Sequence, residues 1–215
     1  MDNDTQLLCQ RFEKAKADRS TWDEIWEEIA LYSMPGKADF ITERSKGDKS
    51  RNLNIYDPTA GVSNHTLASH MHMAMTSPAS KWFEQRFKDS DLQDTHEAKV
   101  WIEECTSRMY NAINDSNFVS IIKELYKNLI AFGKACIEAT FVNDPEDGFK
   151  LVFRDIDLGS LVFMENIHRR VDTVFHEMKI TARQAKQMFG AVKVKKVEEL
   201  LKDQPDTLVT VLRVV

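Results

Sequence analysis

The chain has 215 residues, of which 42% are hydrophobic and 29% charged, and this is the composition of an ordinary globular protein. Its formal net charge of −5 disfavours a protein that wraps nucleic acid, because such proteins normally present a basic surface. Three scattered cysteines without a CxxC motif predict neither a zinc site nor a disulfide scaffold, and we expect them to be reduced, as in a cytoplasmic setting. The acidic N-terminus lacks the pattern of a signal peptide, and no apolar run has the roughly 20 residues of a membrane span.

Residues 5–34 are predicted to form one long amphipathic helix, because a mainly apolar stripe recurs at steps of three or four residues. The stripe comprises Leu8, Phe12, Ala15, Arg19, Trp22, Trp26, Ile29 and Tyr32. Such a helix is about 45 Å long at 1.5 Å per residue, and Pro35-Gly36 ends it. Its length predicts an extended shape or packing on a neighbour, and Trp22 and Trp26 are candidates for that packing or for an interface.

Residues 36–56 are polar and are predicted to form an exposed loop. A small basic group at its centre, Lys46, Lys49 and Arg51, is either a solvated part of this loop or a phosphate contact. We favour the solvated loop and keep the phosphate contact as an alternative.

A second helix is predicted from Asp57, which can cap it, to about Met75. Thr76-Ser77-Pro78 stops this helix, since the residue before proline is pushed out of the α region. Met71 and Met75 suggest adaptable packing or a partner-binding face. The three histidines of the helix have no carboxylate or cysteine at a ligand spacing, so we interpret His65, His70 and His72 as residues at its rim and predict no metal site.

Trp82-Phe83 follows the helix stop as an aromatic pair, in a stretch from Lys81 to Phe87 that alternates loosely and suggests a short strand. We assign the pair to packing or to an interface. If Trp82 is buried, its replacement by Ala should cost about 3 kcal/mol of stability.

Two further helices are predicted before the pattern changes. One runs from about Thr95, its cap, to Asn114, and the next begins at Asn117, also a cap, and ends near Phe132 with Gly133 in the left-handed position.

From residue 135 onward the pattern has the period of β-strands, with two short helices. Strands are predicted at 135–142, 149–153, 161–164, 171–179 and 207–215, and helices at 181–189 and 194–202. The fold class is therefore α+β, with a mainly helical region at 1–134 and a β-rich region at 135–215. Because the last strand ends abruptly in apolar residues, we expect the chain to be the N-terminal part of a longer protein.

No set of residues predicts catalysis. The sequence holds neither a G-x-x-x-x-G-K-[ST] nor a G-x-G-x-x-G motif, and no Ser-His-Asp set can be placed. Glu24, Glu27 and Glu28 are interpreted as the solvated face of the first helix rather than a glycosidase pair. Asp155 and Asp157 lack a third ligand for a divalent ion, so we predict no enzyme activity and no cofactor.

Several pieces, read in order, resemble a known family. They are Trp22-Asp23-Glu24-Ile25-Trp26, Met34-Pro35, Asp57-Pro58-Thr59-Ala60, Leu67-Ala68-Ser69-His70-Met71, Met75-Thr76-Ser77-Pro78, Trp82-Phe83, 125–135, 170–176, 181–184 and Phe189-Gly190. This series resembles the N-terminal part of the head-to-tail connecting (portal) proteins of short-tailed bacteriophages. His70, His72 and His176 depart from the family, which often has small residues at the first two positions and commonly arginine at the third.

The resemblance implies a structural subunit of a ring of about twelve copies at one capsid vertex, through which double-stranded DNA is packaged and ejected. It also implies terminase, scaffold, capsid and tail adaptor proteins as partners, a location in the virion after assembly in the host cytoplasm, and no membrane. This part of the protein would then form much of the peripheral wing, and an acidic surface would repel the DNA backbone and limit its adhesion in a channel. Two alternatives remain: another virion or scaffold-type interaction module without ring formation, and a hydrolase that uses Asp155, Asp157 or the histidines.

Overall fold

Residues 3–42, 56–89, 95–144, 148–190 and 195–215 are described by a computed structural model of the chain. They fall into two compact units. One unit is continuous in sequence, Glu24–Asp157, and the other combines Met1–Asp23 with Leu158–Val215. We call them the enclosed and the enclosing unit, and both names refer to their order along the sequence alone. These boundaries follow the contacts of the chain rather than the change from helix to strand, and the division into a helical and a β-rich wing region stays a prediction.

The first helix, α1 (Asn3–Ser33), is as long as predicted, and a 3-10 turn over Pro35–Lys37 follows it directly. The predicted stop is therefore confirmed. Residues of α1 up to Asp23 belong to the enclosing unit and the later ones to the enclosed unit.

The helices of the enclosed unit are α2 (Thr59–Met75), α3 (His96–Asn114) and α4 (Phe118–Phe132). The N-cap residue of α2 is Pro58 and no side chain caps the helix, so the prediction that Asp57 is the cap is wrong; its carboxylate accepts the N–H of Thr59, the first helical residue, at 2.9 Å. The Thr95 hydroxyl accepts the N–H of Ala98 at 3.4 Å and caps α3.

Asn117 lies at the start of α4, but the prediction that its side chain caps the helix is wrong. Its side-chain oxygen accepts the N–H of Phe153 and its amide donates to the carbonyl of the same residue, both at 2.8 Å. The N–H of Phe118 is accepted instead by the Ser116 hydroxyl at 3.1 Å. Asn117 thus ties a helix to a strand, a role that local sequence does not reveal.

The sheet of the enclosed unit is an antiparallel hairpin of β1 (Cys136–Asp144) and β2 (Gly148–Ile156). It packs on α4 around the core formed by Ala68, Phe118, Ile122 and Tyr126. Gly133 between α4 and β1 has a φ of 69°, which is the left-handed conformation predicted for it.

In the enclosing unit, β3 (Leu161–Glu165), β4 (Val171–Thr181) and β5 (Leu208–Val214) form an antiparallel sheet in that order. Its core joins Phe12 of α1 to Val162 and Phe175, and the rings of Phe12 and Phe175 are 5.7 Å apart. Helices α5 (Ala182–Phe189) and α6 (Lys195–Asp203) separate β4 from β5. Thr181 and Gln184 form a reciprocal capping box at the start of α5.

Helices followed by two small antiparallel sheets confirm the α+β class. The predicted short strand at 81–87 is wrong, because this stretch has no regular secondary structure and belongs to neither sheet. Residues 145–147, where a hairpin turn is predicted, lie outside the described ranges.

Arg19 ties α1 to the 3-10 turn (Leu158–Ser160) and the start of β3. Its guanidinium donates to the carbonyls of Leu158 at 3.3 Å and Gly159 at 3.0 Å, and also to that of Leu161. Its Nε lies 2.9 Å from the carboxylate of Asp23 in a largely buried ion pair. Burial raises the pKa of Asp23, and the positive charge of Arg19 opposes this rise.

We predict that Arg19→Met destabilises the protein by about 3 kcal/mol, because it leaves the carbonyls without their donor and the buried Asp23 carboxylate without its cationic partner. Urea unfolding at neutral pH measures this effect. The matched control is Arg183→Met, whose pair with Asp206 is 3.7 Å long and exposed and should change stability by less than about 1 kcal/mol. Equal effects of the two substitutions would contradict a special role of Arg19.

Candidate interaction surface

Phe83 is fixed to α3 by Tyr110. The backbone N–H of Phe83 donates to the Tyr110 hydroxyl at 2.6 Å, and this hydroxyl donates back to the Phe83 carbonyl at 2.9 Å. The two rings stack with centroids 4.3 Å apart. One side chain therefore satisfies both backbone groups of Phe83, as a residue of a neighbouring strand would.

Trp82 lies at the boundary between core and solvent. Its ring stacks on Phe118 at 5.8 Å and meets the edges of Phe83 and Tyr110. The side chain nevertheless keeps 36% of its surface exposed. The condition of full burial, on which a cost of about 3 kcal/mol depends, is not met.

The stretch from Trp82 to Arg86 has no regular secondary structure and contacts α3 through two of its residues. Phe83 bonds to Tyr110, and the N–H of Gln85 approaches the Thr106 hydroxyl at 3.5 Å. Exposure alternates accordingly, with residues 83 and 85 half-buried and residues 82, 84 and 86 exposed. Within the described ranges, the backbones of the three exposed residues make no hydrogen bond to other backbone groups.

A groove of about 580 Å³ opens between this segment and α3. Trp82, Phe83 and Ile102 supply its apolar surface, and charged side chains of both signs surround them. The complete lining is Lys81, Trp82, Phe83, Glu84, Lys99, Ile102, Glu103 and Thr106. We call it the aromatic groove.

The methionines of α2 divide between core and surface. Met71 packs on the core of the enclosed unit, whereas Met75 is 56% exposed. Met71 thus serves packing within the subunit, and an interface role of Met75 stays a prediction.

His72 is a core residue, so the interpretation that all three histidines lie at the helix rim is wrong. It is buried, and its Nδ1 lies 2.9 Å from the Thr76 hydroxyl, which in turn lies 3.1 Å from the Tyr126 hydroxyl. Burial lowers the pKa of His72, and the nearby charge of Lys123 lowers it further. Within the described ranges no three His, Cys, Asp or Glu side chains are grouped as a metal site.

The two tryptophans of α1 have different environments. Trp26 is buried, with its ring 5.6 Å from that of Phe40, which lies 5.3 Å from that of Phe132. Trp22 is 58% exposed. Trp26 therefore belongs to the core of the enclosed unit, and an interface role of Trp22 stays a prediction.

The carboxylates proposed for chemistry have structural partners. Glu24 and Glu28 are exposed as expected, but Glu27 is buried and accepts the N–H groups of Ile41 at 2.6 Å and Thr42 at 3.2 Å. The solvated-face interpretation is therefore wrong for Glu27, because its carboxylate holds the segment that follows the 3-10 turn.

The Asp155 carboxylate is bonded to a lysine ammonium and a side-chain amide and is not arranged as a ligand for a divalent cation. Lys37 Nζ lies 2.6 Å from its carboxylate and Asn128 donates to it at 2.8 Å, while Asp157 is exposed and 3.7 Å from the same ammonium. A lysine in this position already neutralises the charge that would attract a cation.

The basic group Lys46, Lys49 and Arg51 lies outside the described residues, and its phosphate contact stays a prediction. No helix in the described ranges combines the length and apolarity needed to cross a bilayer.

Sequence reasoning missed the exposed aromatic end of the β1–β2 hairpin. Phe141 is 78% and Phe149 80% exposed. Both are apolar residues in strands, and such a pattern alone indicates that a residue is buried in the core. Only the pairing of β1 with β2 and the position of α4 show that both residues lie beyond the core.

The described residues thus include exposed aromatic side chains, a groove lined by Trp82 and Phe83, and carboxylates with structural partners. Residues 5–215 match the family described as bacteriophage head to tail connecting protein, and the chain belongs to this family. The family to which the sequence motifs point is thereby confirmed.

Two curated relatives are similar to most of the chain. The portal protein of Salmonella phage epsilon15 is 27% identical over 189 residues, which are 88% of this chain and 33% of that protein. The probable portal protein of Bordetella phage BPP-1 is 28% identical over 186 residues, which are 86% of this chain and 33% of that protein. The chain thus spans about a third of the length of these relatives.

We predict a graded loss of stability when three tryptophans of different exposure are replaced. Trp26→Ala should cost about 4 kcal/mol, Trp82→Ala about 2 kcal/mol because part of its ring is already solvated, and Trp22→Ala less than about 1 kcal/mol. Chemical denaturation of the three variants measures the order. A Trp82→Ala variant as stable as the parent would show that its ring stacking contributes nothing to the subunit.

We predict that His72 makes stability depend on pH. The folded state lowers its pKa, so between that value and the unfolded value of about 6.5 the unfolded chain binds more protons, and stability falls as the pH is lowered through this window. Unfolding free energies at pH 7.5 and 5.5 should differ less in His72→Gln than in the parent. The control Tyr126→Phe keeps the imidazole and should keep the pH dependence; an unchanged slope in His72→Gln would refute the assignment.

Proposed function

We propose that the chain is part of a structural portal subunit that assembles into a ring at one vertex of a phage capsid. The observation that carries this proposal is the family match over residues 5–215, together with the portal names of both relatives. The expected ring has about twelve copies, and double-stranded DNA passes through it during packaging and ejection. Capsid, scaffold, terminase and tail adaptor proteins are the proposed partners, and the virion is the proposed location.

A structural role without catalysis agrees with the chemistry of the described residues. Asp155 is neutralised by Lys37, His72 is bonded to Thr76, and Glu27 is occupied by backbone donors. Of the groups named for the hydrolase alternative, Asp155 and His72 thus have structural partners. The net charge of −5 supports the passage of DNA without adhesion, since an acidic protein repels the phosphate backbone.

We expect the gene product that contains this chain to form closed rings of about a dozen copies. Negative-stain electron microscopy, with light scattering after size exclusion, measures the shape and the mass of the assembly. A protein that stays monomeric at all concentrations would overturn the portal assignment. A defined complex with another virion protein, without rings, would favour the alternative of an interaction module.

A further inference from the structure

The last turns of α1 carry apolar side chains on two sides of the helix. On one side, Trp26 and Ala30 are buried in the enclosed unit. On the other side, Ile25, Ile29 and Tyr32 form a narrow stripe, because steps of four and three residues return to nearly the same side of an α-helix. Ile25 is 44% and Tyr32 55% exposed, and Ile29 is half-buried. We call these three residues the outer stripe of α1.

The outer stripe has the spacing of a helix–helix contact. Single exposed apolar residues are common on protein surfaces, but these three lie in consecutive turns and form one continuous patch. Positions i, i+4 and i+7 are those by which one helix contacts another along its length. A helix that is apolar on two opposite sides is normally covered on both.

Two carboxylates border the outer stripe on the same side. Glu28 lies one turn after Ile25 and one turn before Tyr32, and Glu24 precedes it by four residues. Both are exposed, and neither makes an ion pair with another residue of the described ranges. Like charges four residues apart destabilise a helix. Nothing in the described fold therefore favours two glutamates at these positions.

The end of α1 adds to the negative potential beside the stripe. The helix ends at Ser33 and has no basic residue in its last turn. The carbonyl end of a helix carries a partial negative charge, which lysine or arginine normally balances. Exposed apolar residues, adjacent like charges and an acidic helix end thus coincide in one place. Such departures from local stability are expected at functional sites, where a partner supplies the missing contacts.

Charge decides among the possible occupants of this surface. The phosphates of nucleic acid or of an anionic lipid are repelled by Glu24 and Glu28. A second copy that packs symmetrically through the same stripe brings these carboxylates against their own counterparts. A helix whose apolar residues are flanked by lysine or arginine instead places positive charge opposite both glutamates and the carbonyl end of α1.

We propose that the outer stripe of α1 is the docking site for a cationic amphipathic helix of another protein. The apolar side chains of that helix cover Ile25, Ile29 and Tyr32, and its lysine or arginine residues pair with Glu24 and Glu28. This goes beyond the portal assignment, because the site needs one copy of the chain and no ring.

Two synthetic peptides test the chemistry of the partner. Both are helices of about four turns with leucine at every third or fourth position, and the flanking positions are lysine in one peptide and glutamate in the other. Fluorescence anisotropy of the labelled peptides, titrated with the gene product that contains this chain, measures the Kd. We expect the lysine peptide to bind at least about tenfold more tightly than the glutamate peptide, and its affinity to fall with added salt.

A double substitution tests the apolar part of the site. Ile25→Gln/Tyr32→Gln removes two exposed side chains and keeps good helix formers, so thermal unfolding should match the parent. The matched control is Leu67→Gln/Met73→Gln in α2 of the same unit, where the side chains are 49% and 71% exposed. We expect the Kd of the lysine peptide to rise at least about tenfold in the first variant and less than about twofold in the control.

A second pair of variants tests the charges. Glu24→Gln/Glu28→Gln should raise the Kd of the lysine peptide about fivefold at low salt. Glu198→Gln/Glu199→Gln removes the same charge from exposed positions of α6 and should leave the Kd near that of the parent. Equal effects of the two variants would show that the peptide responds to net charge alone and would overturn the site.

Two further results would overturn the cationic partner. One is a parent protein that binds both peptides equally or binds neither. The other is weaker self-association of Ile25→Gln/Tyr32→Gln in mass photometry, because the stripe would then contact a second copy. Rings of the parent in electron microscopy depend on the portal assignment alone, so failure of the peptides to bind leaves that assignment standing.

Discussion

The enclosing unit depends on the contact of Arg19 with the carbonyls that precede and begin β3. Two of these carbonyls, those of Leu158 and Gly159, lie in the 3-10 turn ahead of β3, and the fork of a guanidinium can serve several carbonyls at once. Asp23, one turn further along α1, balances the charge. Because the contact joins the beginning of the chain to its last third, the sheet of this unit and its Phe12–Phe175 core are assembled around it.

In the enclosed unit, other side chains also form hydrogen bonds to backbone groups. Glu27 accepts the backbone of the segment after the 3-10 turn, Asn117 accepts from and donates to β2, and Tyr110 does the same for Phe83. Each of these side chains satisfies backbone groups near the core: Asn117 those of a residue in strand β2, and Glu27 and Tyr110 those of residues outside regular secondary structure. Irregular segments held in this way have defined positions, and a defined position is what a binding surface made of such segments requires.

Local signals in the sequence predicted most of the secondary structure, although the strand predicted at 81–87 does not form. Proline and glycine marked the ends of α1 and α4, and a period of two marked β3 to β5, because these depend on neighbouring residues alone. The roles of Asn117, Glu27 and His72 depend on partners that are distant in the sequence. Local patterns therefore predicted a helix cap for Asn117, a solvated position for Glu27 and a position at the helix rim for His72, and tertiary contacts place all three differently. The exposure of Phe141 and Phe149 could not be predicted for the same reason. An apolar residue in a strand indicates burial, but whether it is buried depends on which other elements pack against that part of the strand.

The sequence order of the two units has a consequence for synthesis on the ribosome. Arg19 and Leu161 are 142 positions apart, so at about 5–20 residues per second the second is made roughly 7–28 s after the first. During that interval the apolar face of the first part of α1 has no sheet to cover it. The enclosed unit is complete in sequence at Asp157 and can fold while the nascent chain still lacks β3 to β5. A chaperone that binds nascent chains would therefore find its target in the first part of α1.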